Sequence, residues 1–120
     1  MNIYIICPVR NLSSEWRYGL LTYTHSLEQR GHKVHLPFRD TKQQDMTGLI
    51  ICEEHALAMI SADQVHIAWS GKSEGCLFDL GMAFILKKPI IPITGYFPQP
   101  DNKGKSYVNM VWAWNAECFD

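Results

Sequence analysis

The chain has 120 residues, of which 47% are hydrophobic and 19% are charged, and its 11 basic and 12 acidic side chains give a formal net charge of −1. This length and composition are typical of one folded domain spanning residues 1–120, and they exclude a disordered chain. The near-neutral charge provides no electrostatic footprint for a nucleic acid polymer or an anionic membrane.

Strands and helices are predicted to alternate from the first residues onward. The apolar run at residues 3–7 is typical of a strand covered on both faces. Ser13 or Ser14 can cap a helix that ends at Gly31. Further along, the pattern predicts strands at residues 33–36, 64–69 and 89–93, helices at residues 49–61 and 76–86, and polar loops at residues 38–45, 70–75 and 94–105.

The spacing of apolar residues predicts which faces of these helices are buried. For the helix at residues 49–61, the expected core face consists of Cys52, Ala56, Met59 and Ile60. For the helix at residues 76–86, it consists of Leu77, Leu80 and Phe84. The last segment favours a helix capped by Ser106, although the alternation over residues 108–114 also fits a strand.

This order of elements predicts an α/β fold. Strands that alternate with helices are joined by right-handed crossovers, so they form an open, mainly parallel sheet with helices on both faces. Ligands of such sheets bind beyond the carboxyl ends of the strands. The segments that follow the strands are therefore the place to look for a site.

The sequence shows no targeting or metal-binding signal. No run approaches the roughly 18 apolar residues that a membrane helix requires, and the first residues lack the basic flank and cleavage site of a signal peptide. The four cysteines are scattered and form no C-x-x-C pair, which argues against a zinc ribbon or a disulfide scaffold. We expect a cytoplasmic protein with free thiols.

The loop at residues 70–75 and the helix after it carry the most informative chemistry. Backbone N–H groups at a helix N-terminus bind anions such as phosphate, and Ser73 adds a hydroxyl while Lys72 adds a charge. Asp79 lies early in this helix, away from the predicted core face, where the helix dipole favours an ionised carboxylate. Such a carboxylate is what a glycosidic nucleophile requires, and a dipole-compatible surface residue is the alternative.

Four motifs resemble those of the nucleoside 2-deoxyribosyltransferase superfamily, which includes deoxyribosyltransferases and nucleotide N-glycoside hydrolases. Residues 73–83 read S-x-G-x-x-x-D-L-G-x-A and are similar to the family signature S-x-G-x-x-x-E-L-G-x-A. Residues 3–10, 62–67 and 88–91 resemble its first strand with the substrate-facing turn, its A-D-x-V strand and its K-P-I strand. The resemblance covers most of the chain and implies a flavodoxin-like or Rossmann-like three-layer fold with a nucleoside or nucleotide ligand.

By position, the resemblance implies that Asp79 and His55 are the catalytic residues. Asp79 stands where the family has a nucleophilic Glu, and its shorter side chain would require the sugar to sit roughly 1 Å deeper. His55 stands where the family commonly has an acidic residue that handles the proton on the leaving base. A His can do this near neutral pH, and a surface or packing histidine is the alternative.

The resemblance and the positions at strand ends together give the substrate-binding candidates. Ser73 and Gly75 match family contacts to phosphate or sugar hydroxyls, and Asn109 loosely matches an Asn that the family donates to the neighbouring subunit's site. The complete set is Cys7, Arg10, Arg39, Asp40, Trp69, Ser73, Gly75 and Asn109. The alternatives are a structural thiol for Cys7, a surface Arg10, a core Trp69, and mutual pairing of Arg39 with Asp40.

These observations predict cleavage or transfer at the N-glycosidic bond of a small-molecule nucleoside or nucleotide, with no metal and no other cofactor. A non-catalytic nucleotide-binding module and an NAD-cleaving glycohydrolase are the alternatives. The aromatic residues Trp112, Trp114 and Phe119 near the end of the chain predict a completed core or an oligomer interface, and the family resemblance implies a homodimer.

Overall fold

A single parallel sheet of four strands organises the computed structural model, which describes residues 1–119. The strands are β1 (Asn2–Ile6), β2 (Lys33–His35), β3 (Gln64–Ile67) and β4 (Ile90–Pro92), in the spatial order β2-β1-β3-β4. The helices are α1 (Ser14–Gln29), α2 (Pro37–Asp40), α3 (Leu49–Ser61), α4 (Glu74–Ile85) and α5 (Tyr107–Cys118). The predicted open α/β fold is confirmed.

The central strand β1 is almost entirely buried. After the exposed Asn2, its four remaining residues are all buried. β1 pairs in parallel with β2 on one side and with β3 on the other. Because helices cover both faces of a parallel sheet, a continuous apolar run is the expected sequence for such a strand. In this register Tyr4 lies between His35 of β2 and Val65 of β3.

Successive side chains of β1 point to opposite faces of the sheet and enter two separate cores. On one face α1 packs against the sheet, and the core contains Ile3, Ile5, Leu20, Leu27 and Val34. On the other face lie α3, α4 and α5, and the core contains Tyr4, Ile6, Met59, Leu80 and Val111. The result is three layers, with helices on both faces as predicted.

Several helix ends follow the capping signals in the sequence. Ser13 caps α1 by accepting a hydrogen bond from the backbone N–H of Trp16, and Gly31 follows the helix with a φ of +92°. Ser106 caps α5 in the same way, with its Oγ 2.9 Å from the backbone nitrogen of Asn109. The last segment is therefore a helix, and the alternative strand does not form.

The predicted buried faces of α3 and α4 are partly wrong. α4 turns Cys76, Asp79, Leu80 and Ala83 inwards, whereas Leu77 is 36% and Phe84 57% exposed. In α3 the buried residues are His55 and Met59, whereas Ile60 is 58% exposed. Both helices carry large apolar residues around most of their circumference, so apolar spacing alone does not identify the inward side.

The segment after β2 also differs from the predicted continuous loop at residues 38–45. The short helix α2 occupies Pro37–Asp40, and Pro37 fits its first turn because no hydrogen-bonded N–H is required there. The chain is irregular only from residue 41 to residue 48. Within residues 1–119, no helix has the length and apolar character needed to cross a bilayer.

Candidate functional site

The carboxyl ends of the strands open onto a cleft of about 860 Å³. Its walls are formed by the segment after β1, by α3 with the residues just before it, and by the loop before α4 together with the first turns of that helix. Six of the predicted site residues lie in these walls, namely Cys7, Arg10, His55, Ser73, Gly75 and Asp79. The cleft stands where ligands of open α/β sheets bind.

Asp79 is the most deeply buried charged residue of the cleft, with 3% of its surface exposed. It lies in the second turn of α4 on the side that faces the sheet, not away from the core as predicted. Its Oδ2 accepts a hydrogen bond from the Tyr4 hydroxyl at 2.8 Å, and its Oδ1 lies 3.2 Å from Nδ1 of His55. Each oxygen of this carboxyl group therefore has a contact with another side chain.

Tyr4 is a site residue that the sequence analysis missed. It is completely buried in the middle of β1, and its ring belongs to the apolar core. Burial raises the pKa of its hydroxyl, and the nearby Asp79 carboxylate raises it further, so the group is a neutral hydrogen-bond donor. The sequence did offer a signal for Tyr4, namely a tyrosine within an apolar strand. A buried hydroxyl normally requires a hydrogen-bond partner, so such a tyrosine indicates a polar group nearby.

His55 reaches the carboxylate from α3. The residue is 9% exposed, and its ring stands edge-on to the Tyr4 ring with centroids 5.9 Å apart. Nδ1 contacts Asp79, whereas Nε2 is buried and has no hydrogen-bond partner among residues 1–119. The fold thus brings His55 and Asp79, both predicted from the sequence, into direct contact.

The start of α3 is fixed by groups outside the helix, which places His55 two turns further on. Gly48 precedes the helix with a φ of +84°, a conformation that favours glycine. The Asp45 carboxylate accepts hydrogen bonds from the backbone N–H groups of Ile50 at 2.7 Å and Ile51 at 3.1 Å. These contacts satisfy donors that the first turn of a helix otherwise leaves unpaired.

His35 extends the cluster on the side of β2. Its ring stacks on Tyr4 with a centroid distance of 5.2 Å and an interplanar angle of 12°, and its Nε2 lies 2.8 Å from Oγ1 of Thr41. The rings of His35 and His55 are 6.2 Å apart. Burial lowers the pKa of His35, so its neutral form is favoured. The rings of Tyr4, His35 and His55 therefore form one cluster in which each ring is close to the other two.

The loop before α4 provides the polar entrance of the cleft. Ser73 caps the helix, with its Oγ accepting a hydrogen bond from the backbone N–H of Cys76, and Lys72 and Gly75 line the cleft beside it. The positive end of the helix dipole and the Lys72 charge favour an anion here. Glu74, the one carboxylate in the first turn of α4, lies in the same wall, and its negative charge repels an anion.

Cys7 and Arg10 line the cleft from the segment after β1. Burial raises the pKa of the Cys7 thiol, so the sulfur is protonated and weakly nucleophilic. In Cys76, at the start of α4, burial raises the pKa to about 12. Arg10 is exposed and is available to a ligand phosphate or base edge.

Four predicted site residues lie outside the cleft walls and have other contacts. Arg39 forms ion pairs with Glu28 at 3.0 Å and with Asp40 at 2.8 Å. Asp40 also accepts a hydrogen bond from the backbone N–H of Leu36. Arg39 and Asp40 therefore pair with each other, which is the alternative given for them above. Trp69 is 4% exposed within the core. Asn109 holds the turn before α5 through Asp101 and Gly104.

The cleft also contains wall residues that the sequence analysis did not assign to it. They include Trp16 from α1, Gln43 from the irregular segment and Phe78 from α4. Trp16 packs edge-on against Tyr96, with ring centroids 5.1 Å apart. Within the described part of the chain, no group of three or more His, Cys, Asp or Glu side chains is arranged to hold a metal ion.

Comparison with known proteins identifies a shared fold. No protein-family model and no curated protein sequence matches the chain. A solved structure of a 2-deoxyribosyltransferase from the psychrotolerant bacterium Bacillus psychrosaccharolyticus is similar, with a TM-score of 0.65 over 82% of this chain and 77% of that chain. The two sequences are 19% identical, so the likeness shows a common deoxyribosyltransferase-type α/β architecture.

Proposed function

We propose that this protein cleaves or transfers the N-glycosidic bond of a nucleoside or nucleotide. The observation that carries the proposal is the Asp79 carboxylate in the wall of the strand-end cleft, oriented by Tyr4 and His55. A fold shared with a 2-deoxyribosyltransferase supports the same chemistry. Breaking this bond builds positive charge on the sugar ring, and a fixed carboxylate stabilises that charge.

Each part of the cleft has a role in this proposal. Asp79 either attacks the anomeric carbon as a nucleophile or stabilises the cationic sugar without bonding to it. His55 handles the proton that the departing base requires. Ser73 and Gly75, at the N-terminus of α4, bind a phosphate or the sugar hydroxyls, while Cys7 and Arg10 form the opposite wall. Water as the acceptor gives a hydrolase, and a second base gives a transferase.

The experiment measures base release from a panel of nucleosides, their 5′-monophosphates and NAD. We expect turnover of at least one nucleoside or nucleotide, and a loss of at least about a hundredfold in Asp79→Ala and Asp79→Asn, because the charge facing the sugar is removed. Tyr18→Phe on the exposed side of α1 is the matched control. Equal turnover in the wild type and both Asp79 variants would remove this residue from the mechanism.

A second candidate is a nucleotide-binding module without catalysis. It is favoured by one observation, namely that both oxygens of Asp79 already have partners within the protein and that the residue is almost completely buried. Calorimetry with the same panel distinguishes the two candidates. Tight binding with the intact ligand recovered afterwards supports the module, whereas recovery of free base supports the enzyme.

The proposal includes a homodimer formed through the outer sides of α3 and α4. These neighbouring helices expose large apolar side chains, namely Ile50, Leu57, Ile60, Phe78, Phe84 and Ile85. Exposed apolar surface on this scale is typical of an interaction site, and Phe78 also lines the cleft.

The dimer is tested by sedimentation equilibrium. We expect twice the chain mass for the wild type and the mass of a single chain for Leu57→Glu combined with Ile85→Glu, because each chain would then bring two charges into the interface. Tyr18→Glu on α1 is the control and keeps the dimer. A wild type that sediments as a monomer would contradict this part of the proposal.

A further inference from the structure

His35 packs against Tyr4, whose hydroxyl contacts Asp79. The two residues are direct neighbours in the parallel pairing of β1 with β2, so their side chains leave the same face of the sheet. The imidazole ring lies nearly parallel to the Tyr4 ring, with an interplanar angle of 12° and ring centroids 5.2 Å apart. Nearly parallel rings at this distance are a favoured arrangement of aromatic pairs. The register of the two strands therefore places a planar ring against Tyr4.

The imidazole ring is in turn fixed by Thr41. Nε2 of His35 lies 2.8 Å from Oγ1 of Thr41, which is a buried residue. Thr41 directly follows α2, and its backbone N–H donates a hydrogen bond to the carbonyl oxygen of Pro37 at 3.0 Å. A ring that stacks on a neighbour and also forms a hydrogen bond through one nitrogen has little freedom to turn. His35 thus presents a fixed planar surface to Tyr4.

The plane of the Tyr4 ring determines where its hydroxyl proton points. A phenolic O–H lies in the plane of its ring, because an oxygen lone pair is conjugated with the ring. The torsion that turns a tyrosine ring has broad energy minima, so neighbouring groups decide the plane. A hydrogen bond weakens as the proton turns away from its acceptor. The 2.8 Å contact between the Tyr4 hydroxyl and Oδ2 of Asp79 therefore depends on what packs against the ring.

The orientation of the Asp79 carboxylate matters for the proposed reaction. Asp79 lies in the cleft wall, and a misplacement of about 1 Å between reacting atoms can cost about a hundredfold in rate. His35 is not among the residues that form the cleft walls within the described part of the chain. Any effect of His35 on the reaction therefore passes through Tyr4.

We infer that His35 is a positioning residue for the reaction at Asp79. Its ring fixes the plane of Tyr4, and Tyr4 in turn orients the carboxylate in the cleft wall. This inference rests on the proposed function. It applies both to a carboxylate that attacks the sugar and to one that stabilises its charge, because both roles require a fixed orientation.

The first test compares two double variants that differ only in the ring at position 35. His35→Phe with Thr41→Val keeps a planar ring, and His35→Leu with Thr41→Val replaces it by an aliphatic side chain. Both remove the polar contact together with its partner, so neither leaves an unpaired hydroxyl at Thr41. His25→Leu on the exposed side of α1 is the control for loss of a histidine.

Steady-state kinetics on a nucleoside or nucleotide that the wild type turns over provide the measurement. We expect the Leu-containing variant to lose about tenfold to a hundredfold in kcat, with KM changed less than about twofold. The Phe-containing variant should keep kcat within about threefold of the wild type. Equal kcat values in the two double variants, or a loss that appears in KM alone, would overturn the inference.

A second test does not depend on activity. Carbon-13 NMR follows the side-chain carboxyl carbon of Asp79, with Asp79→Asn assigning the signal and Tyr4→Phe showing where it lies without the hydroxyl donor. We expect the signal to move towards the Tyr4→Phe position in the Leu-containing variant and to stay at the wild-type position in the Phe-containing variant. An unmoved signal in the former, or equal movement in both, overturns the inference. If no member of the nucleoside panel is cleaved, the proposed function fails, and this signal still decides whether His35 orients Asp79.

Discussion

Tyr4 and His55 contact the same carboxylate from two different elements. Tyr4 reaches Asp79 from the central strand, and His55 reaches it from α3. A buried carboxylate is costly unless it is paired and hydrogen-bonded, so each partner contributes to stability as well as to the geometry of the cleft. Removing one donor while the charge stays buried is therefore more harmful than removing an exposed polar group.

Tyr4→Phe tests this contribution. The variant keeps the ring and its packing and removes only the hydroxyl, so Oδ2 of Asp79 loses its donor. We expect the free energy of unfolding to fall by about 1–3 kcal/mol, and base release to decrease together with it. Urea denaturation provides the measurement, and Tyr18→Phe is the control because Tyr18 is 74% exposed. Equal stability of the two variants would show that the Tyr4 hydroxyl is not a significant partner of Asp79.

The sequence predicted the elements of this fold much better than their buried faces. Strand and helix positions could be predicted because Pro8, Gly31 and Pro37 interrupt the apolar segments, and Ser106 provides a clear cap. The buried face of α4 could not be predicted, because apolar residues lie on most sides of this helix. Its correct orientation depends on which residues fit against the sheet, and that is a property of the assembled layers.

At the candidate site, too, some residues could be predicted from the sequence and others could not. Asp79, His55 and the loop at residues 70–75 could be found because they follow strands or match a motif with fixed spacing. Tyr4 could not, because an aromatic residue in an apolar strand looks like core until its hydroxyl is placed. Arg39 and Asp40 were predicted at the site, yet adjacent opposite charges satisfy each other locally. Trp69 was also predicted at the site, and its ring fills the core.

α1 and α4 each contain a glycine in mid-helix, and the two have opposite surroundings. A Cβ at Gly19 of α1 would collide with the hydroxyl oxygen of Tyr96, whereas a Cβ at Gly81 of α4 would meet nothing within 4 Å beyond its own helix backbone and chain neighbours. Tyr96 in turn packs against Trp16 in the cleft wall. The close approach at Gly19 therefore links the packing of α1 to the shape of the cleft.

The matched pair Gly19→Ala and Gly81→Ala tests this difference between the helices. Alanine in place of glycine within a helix gains roughly 0.5–1 kcal/mol where it fits. We expect Gly81→Ala to show this gain in urea denaturation. Gly19→Ala should be destabilised by about 1–3 kcal/mol, because Tyr96 must move. If both variants gained equally, Tyr96 would not restrict α1.

For the molecule as a whole, a buried histidine links stability to pH. His66 of β3 is 5% exposed, with Nδ1 2.6 Å from the Tyr23 hydroxyl oxygen and Nε2 3.1 Å from Oε1 of Gln64. These contacts hold the neutral ring, and burial lowers the pKa of His66 to about 4. In the unfolded chain a histidine has a pKa of about 6.5. The unfolded state therefore binds the extra proton between these two values, and the folded state does not.

We expect the free energy of unfolding to fall as the pH is lowered from about 6.5 towards about 4, by about 3 kcal/mol in total from this residue. Stability from this source is fully present above the unfolded pKa. Urea denaturation at several pH values measures it, and His66→Gln should show a flatter dependence than the wild type. His35 contributes in the same direction because its pKa is also lowered. Parallel curves for the wild type and His66→Gln would contradict the assignment.

The two outer strands of the sheet, β2 and β4, have only three residues each, and β4 ends in Pro92, which has no N–H to donate. A growing amyloid fibre adds chains by pairing with a long, exposed row of backbone groups. Here that row is interrupted after a few residues on either side. Chains that are brought together at high concentration are thus poor templates for one another, and self-association by strand addition is disfavoured by the architecture itself.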